Sequence, residues 1–316
     1  MLPVNESAGA WAVVSKHRAG RHGWSMPILI RNGQHHYTNL VAFEDGVVDC
    51  WEGLDLPLFR DKLRTGWLAT TAPVGARFSV FNLGGATVEA FEPTQSMEDL
   101  EPRVLEAMRH WNPTLASLVD LEGSATDRSK GYGVAKLPVL DGVPFLTTAA
   151  DAETPGKEVP IFVRDGSTFR LTRWFVFADG ACKIGPEGHI SDIDAIERAV
   201  AEGTIATRVP DGEWIAIDGL GKAKLSQSHW GVDPKERVLE QQAHLKELQG
   251  SPDLVATCLR QWEAYEANPS PENLARVREA YLAVPKHLRI YCGDMDSKDW
   301  PIRRALGMIP RARHDD

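Results

Sequence analysis

The sequence lacks a long apolar run: no stretch of about 18 apolar residues occurs in its 316 positions, too little for a helix that crosses a bilayer. The opening segment MLPVNESAGAWAVVSKHRAG has no apolar core of the kind a secretory signal needs. The expectation is a soluble, cytoplasmic protein without a membrane partner. Cysteine is scarce as well. Cys50, Cys182, Cys258 and Cys292 form no CxxC pair, which excludes a disulfide framework and a zinc site of ordinary spacing and leaves structural thiols. Basic residues are outnumbered, 35 Lys and Arg against 44 Asp and Glu, for a net charge of −9. That balance opposes nonspecific binding to nucleic acid. Catalytic motifs are missing too. There is no GxSxG elbow and no HExxH helix, and GLGK at 219–222 departs from a phosphate loop at Ala216 and Ala223. No cofactor is expected.

What the sequence has is an ordinary globular composition, 43% hydrophobic and 25% charged, over a length that suits two or three units at the usual ~100–200 residues per domain. It also has a repeat. MPILIRNG (26–33) is echoed by VPIFVRDG (159–166), VAFEDG (41–46) by FVFADG (175–180), GWLATTAPVG (66–75) by GTIATRVPDG (203–212), and NLGGA (82–86) by GLGKA (219–223). RVLE followed by a histidine occurs at 103–106 with His110 and again at 237–240 with His244. The order is the same in both halves, which is what a duplicated unit produces. The shared positions are mostly turn-formers: RNG, RDG, EDG and ADG between apolar runs are hairpin signals, because glycine takes a positive φ without a steric penalty.

Between the hairpins and the next strands lie short amphipathic segments. LDLPLFRDKLRTG (54–66) places Asp55 as N-cap, Pro57 in the first turn and Gly66 as the stop, and HISDIDAIERAVAEG (189–203) repeats the pattern from Ser191 to Gly203. Longer helices are expected at 97–111 and 233–249, the first with Val104, Leu105, Met108 and Trp111 on one face. The fold class that follows is α+β: two tandem copies of an antiparallel β-rich module, β-β-β-α-β-β plus a longer helix, and then a small α-helical C-terminal domain. The boundaries are residues 1–120 for the first module with its N-terminal arm, 121–158 for a linker that adds a hairpin, 159–249 for the divergent second copy, and 250–316 for the helical domain. In that last part Ser251-Pro252 and Ser270-Pro271 read as helix starts, with Trp262, Tyr265, Tyr281 and Trp300 as packing aromatics.

Chemistry-bearing residues are few. In GDMDSKD (293–299), Asp294 and Asp296 have the alternate spacing that converges on a hard cation, whereas Asp299 before Trp-Pro reads as a helix cap. The EF-hand pattern fails at Lys298, Asp299 and Ala305. His35 and His36 are adjacent, so on a strand they point to opposite faces. Arg21 lies in the basic HRAGRHGW stretch (17–24), able to grip an anion. With Trp51, these make the candidate binding set Arg21, His35, His36, Trp51, Asp294 and Asp296; no metal is assigned beyond the weaker Asp294–Asp296 alternative.

VPKHLRIYCGDMDSKDWPIRRAL (284–306) and WSMPILIRNG…DGVVDCWEGLDLPLFRDKLRTGW (24–67) together resemble an uncharacterised bacterial domain family, in which a β-rich module accompanies a GDMDxKDWPI-type helical domain. The resemblance implies no established activity. It also implies an association with ADP-ribose-related domains, and so a second reading. The first reading is a non-catalytic binding or adaptor protein whose partner is a protein or small ligand, because the copies share turns and differ in exposed loops such as GQHHYTN (33–39) and GSTFRLT (166–172). The alternative is a metal-assisted hydrolase or binder acting on a nucleotide or ADP-ribose-type ligand through Asp294 and Asp296.

Overall fold

The computed structural model describes residues 15–18, 21–119, 145–147, 153–166, 168–185, 190–293 and 297–309. The chain divides into two compact units, Met1–Trp230 and Gly231–Asp316. In the first, the strands are β1 (Ser15–Arg18), β2 (Arg21–Asn32), β3 (Gln34–Phe43), β4 (Val48–Cys50) and β5 (Glu52–Leu54). Helix α1 (Leu56–Arg64), strands β6 (Leu68–Ala69), β7 (Arg77–Val80) and β8 (Gly84–Pro93), and helix α2 (Leu100–Trp111) follow. A further strand, β9 (Phe145–Thr147), precedes the second copy. That copy has β10 (Glu153–Asp165), β11 (Thr168–Phe177), β12 (Cys182–Ile184), β13 (Ile190–Ser191), α3 (Ile193–Ala201), β14 (Ile205–Ala206), β15 (Trp214–Ile217) and β16 (Gly221–Ser226).

The two copies pair their strands in the same way. β2 and β3 form a hairpin, as do β10 and β11. Leu29 and Ile30 pair with Ala69 and Leu68, and Phe162 and Val163 pair with Ala206 and Ile205. Each module departs from a purely antiparallel arrangement at one ladder: β3 runs parallel to β7, and β11 to β15. The reason is the connection. A hairpin can only return antiparallel, whereas the chain from β3 to β7 passes through α1 and arrives in the same direction. The short helices start as their sequences dictate, Asp55 accepting from the Leu58 amide at 2.8 Å and Asp192 from the Ala195 amide at 2.7 Å. Asp192, rather than Ser191, is thus the second cap.

The modules join through β8 and β16, which pair antiparallel. Gly84 and Gly221 begin these strands at φ +138° and +137°. A side chain on Gly84 would lie 2.5 Å from the His229 carbonyl oxygen, and one on Gly221 would overlap the Glu92 carbonyl. Each glycine therefore lies beneath the other copy's chain. The shared core has the same symmetry: Leu29 with Phe162, Phe78 with Ile215, Val80 with Ile217, Ala86 with Ala223 and Val88 with Leu225. Since these residues come from both ends of the strand order β1-β2-β3-β7-β8-β16-β15-β11-β10-β14, the sheet curls until its halves face each other. The seam ends in polar groups. Asn39 donates to Glu158 at 3.2 Å, Arg173 donates to the same oxygen at 3.1 Å, and the Arg173 guanidinium stands 5.5 Å from the Tyr37 ring. Burial pushes the Tyr37 phenol up to about 12, with the Arg173 charge opposing the rise. On the other face of the first module, α1 and α2 cover Ile28, Ile30, Leu40 and Val48 through Phe59, Val104 and Met108.

The second unit holds α4 (Pro234–Leu248), α5 (Leu254–Ala267), α6 (Pro271–Ala283), a 3-10 helix (Lys286–Tyr291) and α7 (Trp300–Ala305). Ser270 caps α6 by accepting from the Asn273 amide at 3.1 Å, whereas α5 is capped by Asp253 and not by Ser251. Its core contains Cys258, Val277, Tyr281, Cys292, Ile302 and Leu306, with Trp262 and Tyr265 packed at the edge. Trp300 is 45% exposed, so the packing role expected for it belongs to Ile302. In α4 the buried face carries an ion pair, Arg237 with Glu240, whose carboxylate also contacts His287 at 2.8 Å. Among the described residues no helix is long and apolar enough to cross a membrane.

Candidate functional site

The end of β4 and the end of β7 meet beside β3, because β4 pairs with residues 41–42 of β3 and β7 with residues 35–37. Trp51 forms the tip of the tight β4–β5 hairpin, in which Cys50 faces Glu52. Its φ is 74°, a left-handed backbone that costs a bulky L-residue roughly 1–2 kcal/mol. The side chain is 53% exposed. Phe81, just past the end of β7, is 69% exposed. The Trp51 ring lies 4.8 Å from the His36 ring at 66° and 6.3 Å from the Trp67 ring at 88°. Lys62 of α1 places its Nζ 4.2 Å from the Trp67 ring centre.

His36 is held at both nitrogens. Its Nε2 lies 3.3 Å from the Asn32 carbonyl oxygen, and its Nδ1 2.8 Å from Ser79 Oγ. A carbonyl only accepts, so in the neutral ring Nε2 carries the hydrogen and Nδ1 accepts from the Ser79 hydroxyl. A serine beside an imidazole is also the beginning of a nucleophile. Here, however, a backbone carbonyl stands where a carboxylate would orient the base.

The second module shows what this position becomes without the aromatic residues. Gly185 follows β12 as Trp51 follows β4, at φ 69°. Arg170 takes the place of His36, Asp218 that of Phe81 and Thr204 that of Trp67. Arg170 and Asp218 pair at 3.8 Å. A side chain at Gly185 would begin 3.0 Å from Thr172 Oγ1 and 3.7 Å from Asp218, so the copy is closed by an ion pair where the first module is open and aromatic.

Comparison with known proteins bears on the whole arrangement. Residues 15–115 and 147–252 match the family described as Domain of unknown function (DUF7638), and residues 253–310 match Domain of unknown function (DUF7639). The chain belongs to the DUF7638 family. No curated protein and no solved structure matches it.

In this DUF7638 chain, two of the sequence-selected residues come together, His36 and Trp51. His35 lies on the opposite face, 7% exposed, with burial first and the neighbouring Arg31 and His36 charges second in holding its pKa below the ordinary value. It is a buried residue of the strand end, away from the aromatic face. Of Arg21 only the backbone is described, opposite Arg18 in β1. Asp294 and Asp296 lie outside the described residues. Near them, Asp299 stands at the start of α7 without capping it; its carboxylate accepts from the Tyr281 hydroxyl at 2.5 Å. Burial and that hydrogen bond raise the Tyr281 pKa. Among the described residues no three His, Cys, Asp or Glu side chains converge as metal ligands. In the second unit a groove of about 390 Å³ is bordered by Glu236, Leu239, Lys246, Leu282, Val284 and Arg289. Sequence reasoning missed Trp67, Phe81, Ser79 and Lys62. The signal for them was a position-by-position comparison of the two copies.

Proposed function

We propose that this chain is a non-catalytic binding protein in which the first module carries the recognition face and the second serves as scaffold. The carrying observation is Trp51, a large exposed ring on a left-handed backbone, at the position where the duplicate has glycine with the same conformation. Folding alone favours glycine there. Retention of a strained, exposed tryptophan is the pattern of a residue kept for contact with something else, and tryptophan is among the residues that dominate binding energy at interfaces.

The reading is tested by the stability of Trp51→Gly. Relief of roughly 1–2 kcal/mol of backbone strain offsets the ring contacts to His36 and Trp67, worth ~0.5–1.5 kcal/mol each at most. Chemical unfolding should therefore place the variant within about 1 kcal/mol of the parent chain. A loss of ~3–5 kcal/mol, as for a core aromatic residue, would make Trp51 a packing residue and remove the basis of the proposal.

A further inference from the structure

Independently of the Trp51 face, we infer that Cys258 and Cys292 are a peroxide-sensitive thiol pair, which oxidation closes into a disulfide within the C-terminal helical unit. The two cysteines are far apart in the sequence, one on α5 and the other at the end of the 3-10 helix. Packing brings them together. Both are fully buried in one core cluster with Val277, Tyr281, Ile302 and Leu306, both are free, and their thiols hydrogen-bond each other. Cys50 and Cys182 belong to the first unit.

The surroundings divide the roles. The hydrogen bond from Cys292, supported by the Arg289 charge, holds the Cys258 thiol below its ordinary range against the opposing effects of burial and Asp299. The same hydrogen bond, with burial, raises the Cys292 thiol. Arg289 stands 5.1 Å from the Tyr281 ring, and the Asp299 carboxylate accepts from the Tyr281 hydroxyl at 2.5 Å. Cys258 is therefore the nucleophile, since the thiolate is the reactive form. Its sulfur attacks one oxygen of hydrogen peroxide; the O–O bond breaks, and the departing hydroxide takes up the proton that Cys258 released, leaving a sulfenic acid and one water. The Cys292 sulfur then attacks that of Cys258. The S–S bond forms as the S–O bond breaks, and the hydroxyl leaves with the Cys292 proton as a second water. Two thiols are oxidised and one peroxide is reduced.

The bond would fasten a segment that already makes contacts. Lys286 and His287, in the 3-10 helix that ends at Cys292, reach Glu236 and Glu240 of α4, and so join the part matching DUF7639 to the last helix matching DUF7638. Closing residues 258–292 into a loop also removes conformations from the unfolded chain, which stabilises the folded one.

The test exposes the folded full chain to hydrogen peroxide, alkylates the remaining thiols under denaturing conditions and maps the peptides by mass spectrometry. The expected product is a linked Cys258–Cys292 peptide, with Cys50 and Cys182 alkylated, that dithiothreitol returns to two free thiols. Oxidation should raise the melting temperature of the parent chain by roughly 5 °C or more and leave those of Cys258→Ala and Cys292→Ala where they were. Alkylation of both Cys258 and Cys292 after peroxide, oxidation that stops at a sulfinic acid on either, or a linked peptide that forms only once the chain is unfolded in urea overturns the inference. A linked peptide that leaves the melting temperature unmoved overturns the stabilising role.

Discussion

Replacing Arg173 with methionine should loosen the seam that holds the two modules together. Arg173 and Glu158 sit 3.1 Å apart with side chains only 18% and 14% exposed, and Asn39 of the other module donates to the same Glu158 oxygen at 3.2 Å. Removal of the guanidinium takes the charged donor away from a largely buried carboxylate. Breaking a buried pair from one side typically costs ~3–5 kcal/mol, mostly as the penalty on the abandoned charge. The residual exposure of both groups places Arg173→Met near the lower end, about 3 kcal/mol. Removing both charges is a different perturbation. Arg173→Met combined with Glu158→Leu abandons no charge and should recover most of the loss, because methionine and leucine extend the apolar seam beside Leu171 and Tyr37. Urea unfolding of the parent, both single variants and the double, followed by circular dichroism and tryptophan fluorescence, gives the coupling directly. A single variant within 1 kcal/mol of the parent, or a double variant no more stable than Arg173→Met, would refute the claim that this buried cluster stabilises the seam between the modules.

Two further outcomes follow from burial. His35 has a lowered pKa, so below its ordinary value near 6.5 the unfolded chain takes up a proton that the folded chain resists, and stability falls as pH drops from about 6.5 toward the lowered folded value; His35→Phe, which installs the residue found at the same place in the second module, Phe169, should flatten that acid limb in unfolding curves between about pH 7 and 5. In the second unit, Ile302→Ala should cost ~2–5 kcal/mol and Trp300→Ala less than about 1 kcal/mol, since Ile302 is fully buried and Trp300 is nearly half exposed; equal melting temperatures for the two variants would contradict this placement.

The duplication is legible in the sequence because turn-forming residues leave a local trace. RNG and RDG, EDG and ADG, PVG and PDG recur in order, each dictated by backbone geometry a few residues long. Parallel pairing of β3 with β7 leaves no such trace, being set by where a crossover through α1 delivers the chain. The same limit applies to the site. His36 and Trp51 were individually visible, but their contact, and the company of Ser79, Trp67 and Phe81, depends on two strand ends arriving side by side. Asp299 looked like a cap because it precedes Trp-Pro; Tyr281, eighteen positions away in sequence, claims the carboxylate instead, and the first turn of α7 already needs one acceptor fewer because Pro301 has no amide hydrogen. RVLE at 237–240 repeats the RVLE of α2, yet in α4 its Arg and Glu are buried as an ion pair, whereas the buried positions of α2 are Leu100, Val104, Ala107 and Met108. Val104 and Val238 are buried alike, and only the flanking Arg and Glu change with the packing partner.

The central claim, that recognition belongs to one face of the first module, is tested by the stability of Trp51→Gly. If the exposed ring of Trp51 serves contact and not folding, urea unfolding of Trp51→Gly gives a stability within about 1 kcal/mol of the parent chain. A loss of ~3–5 kcal/mol, as for a core aromatic residue, makes Trp51 a packing residue and removes the recognition face from the first module.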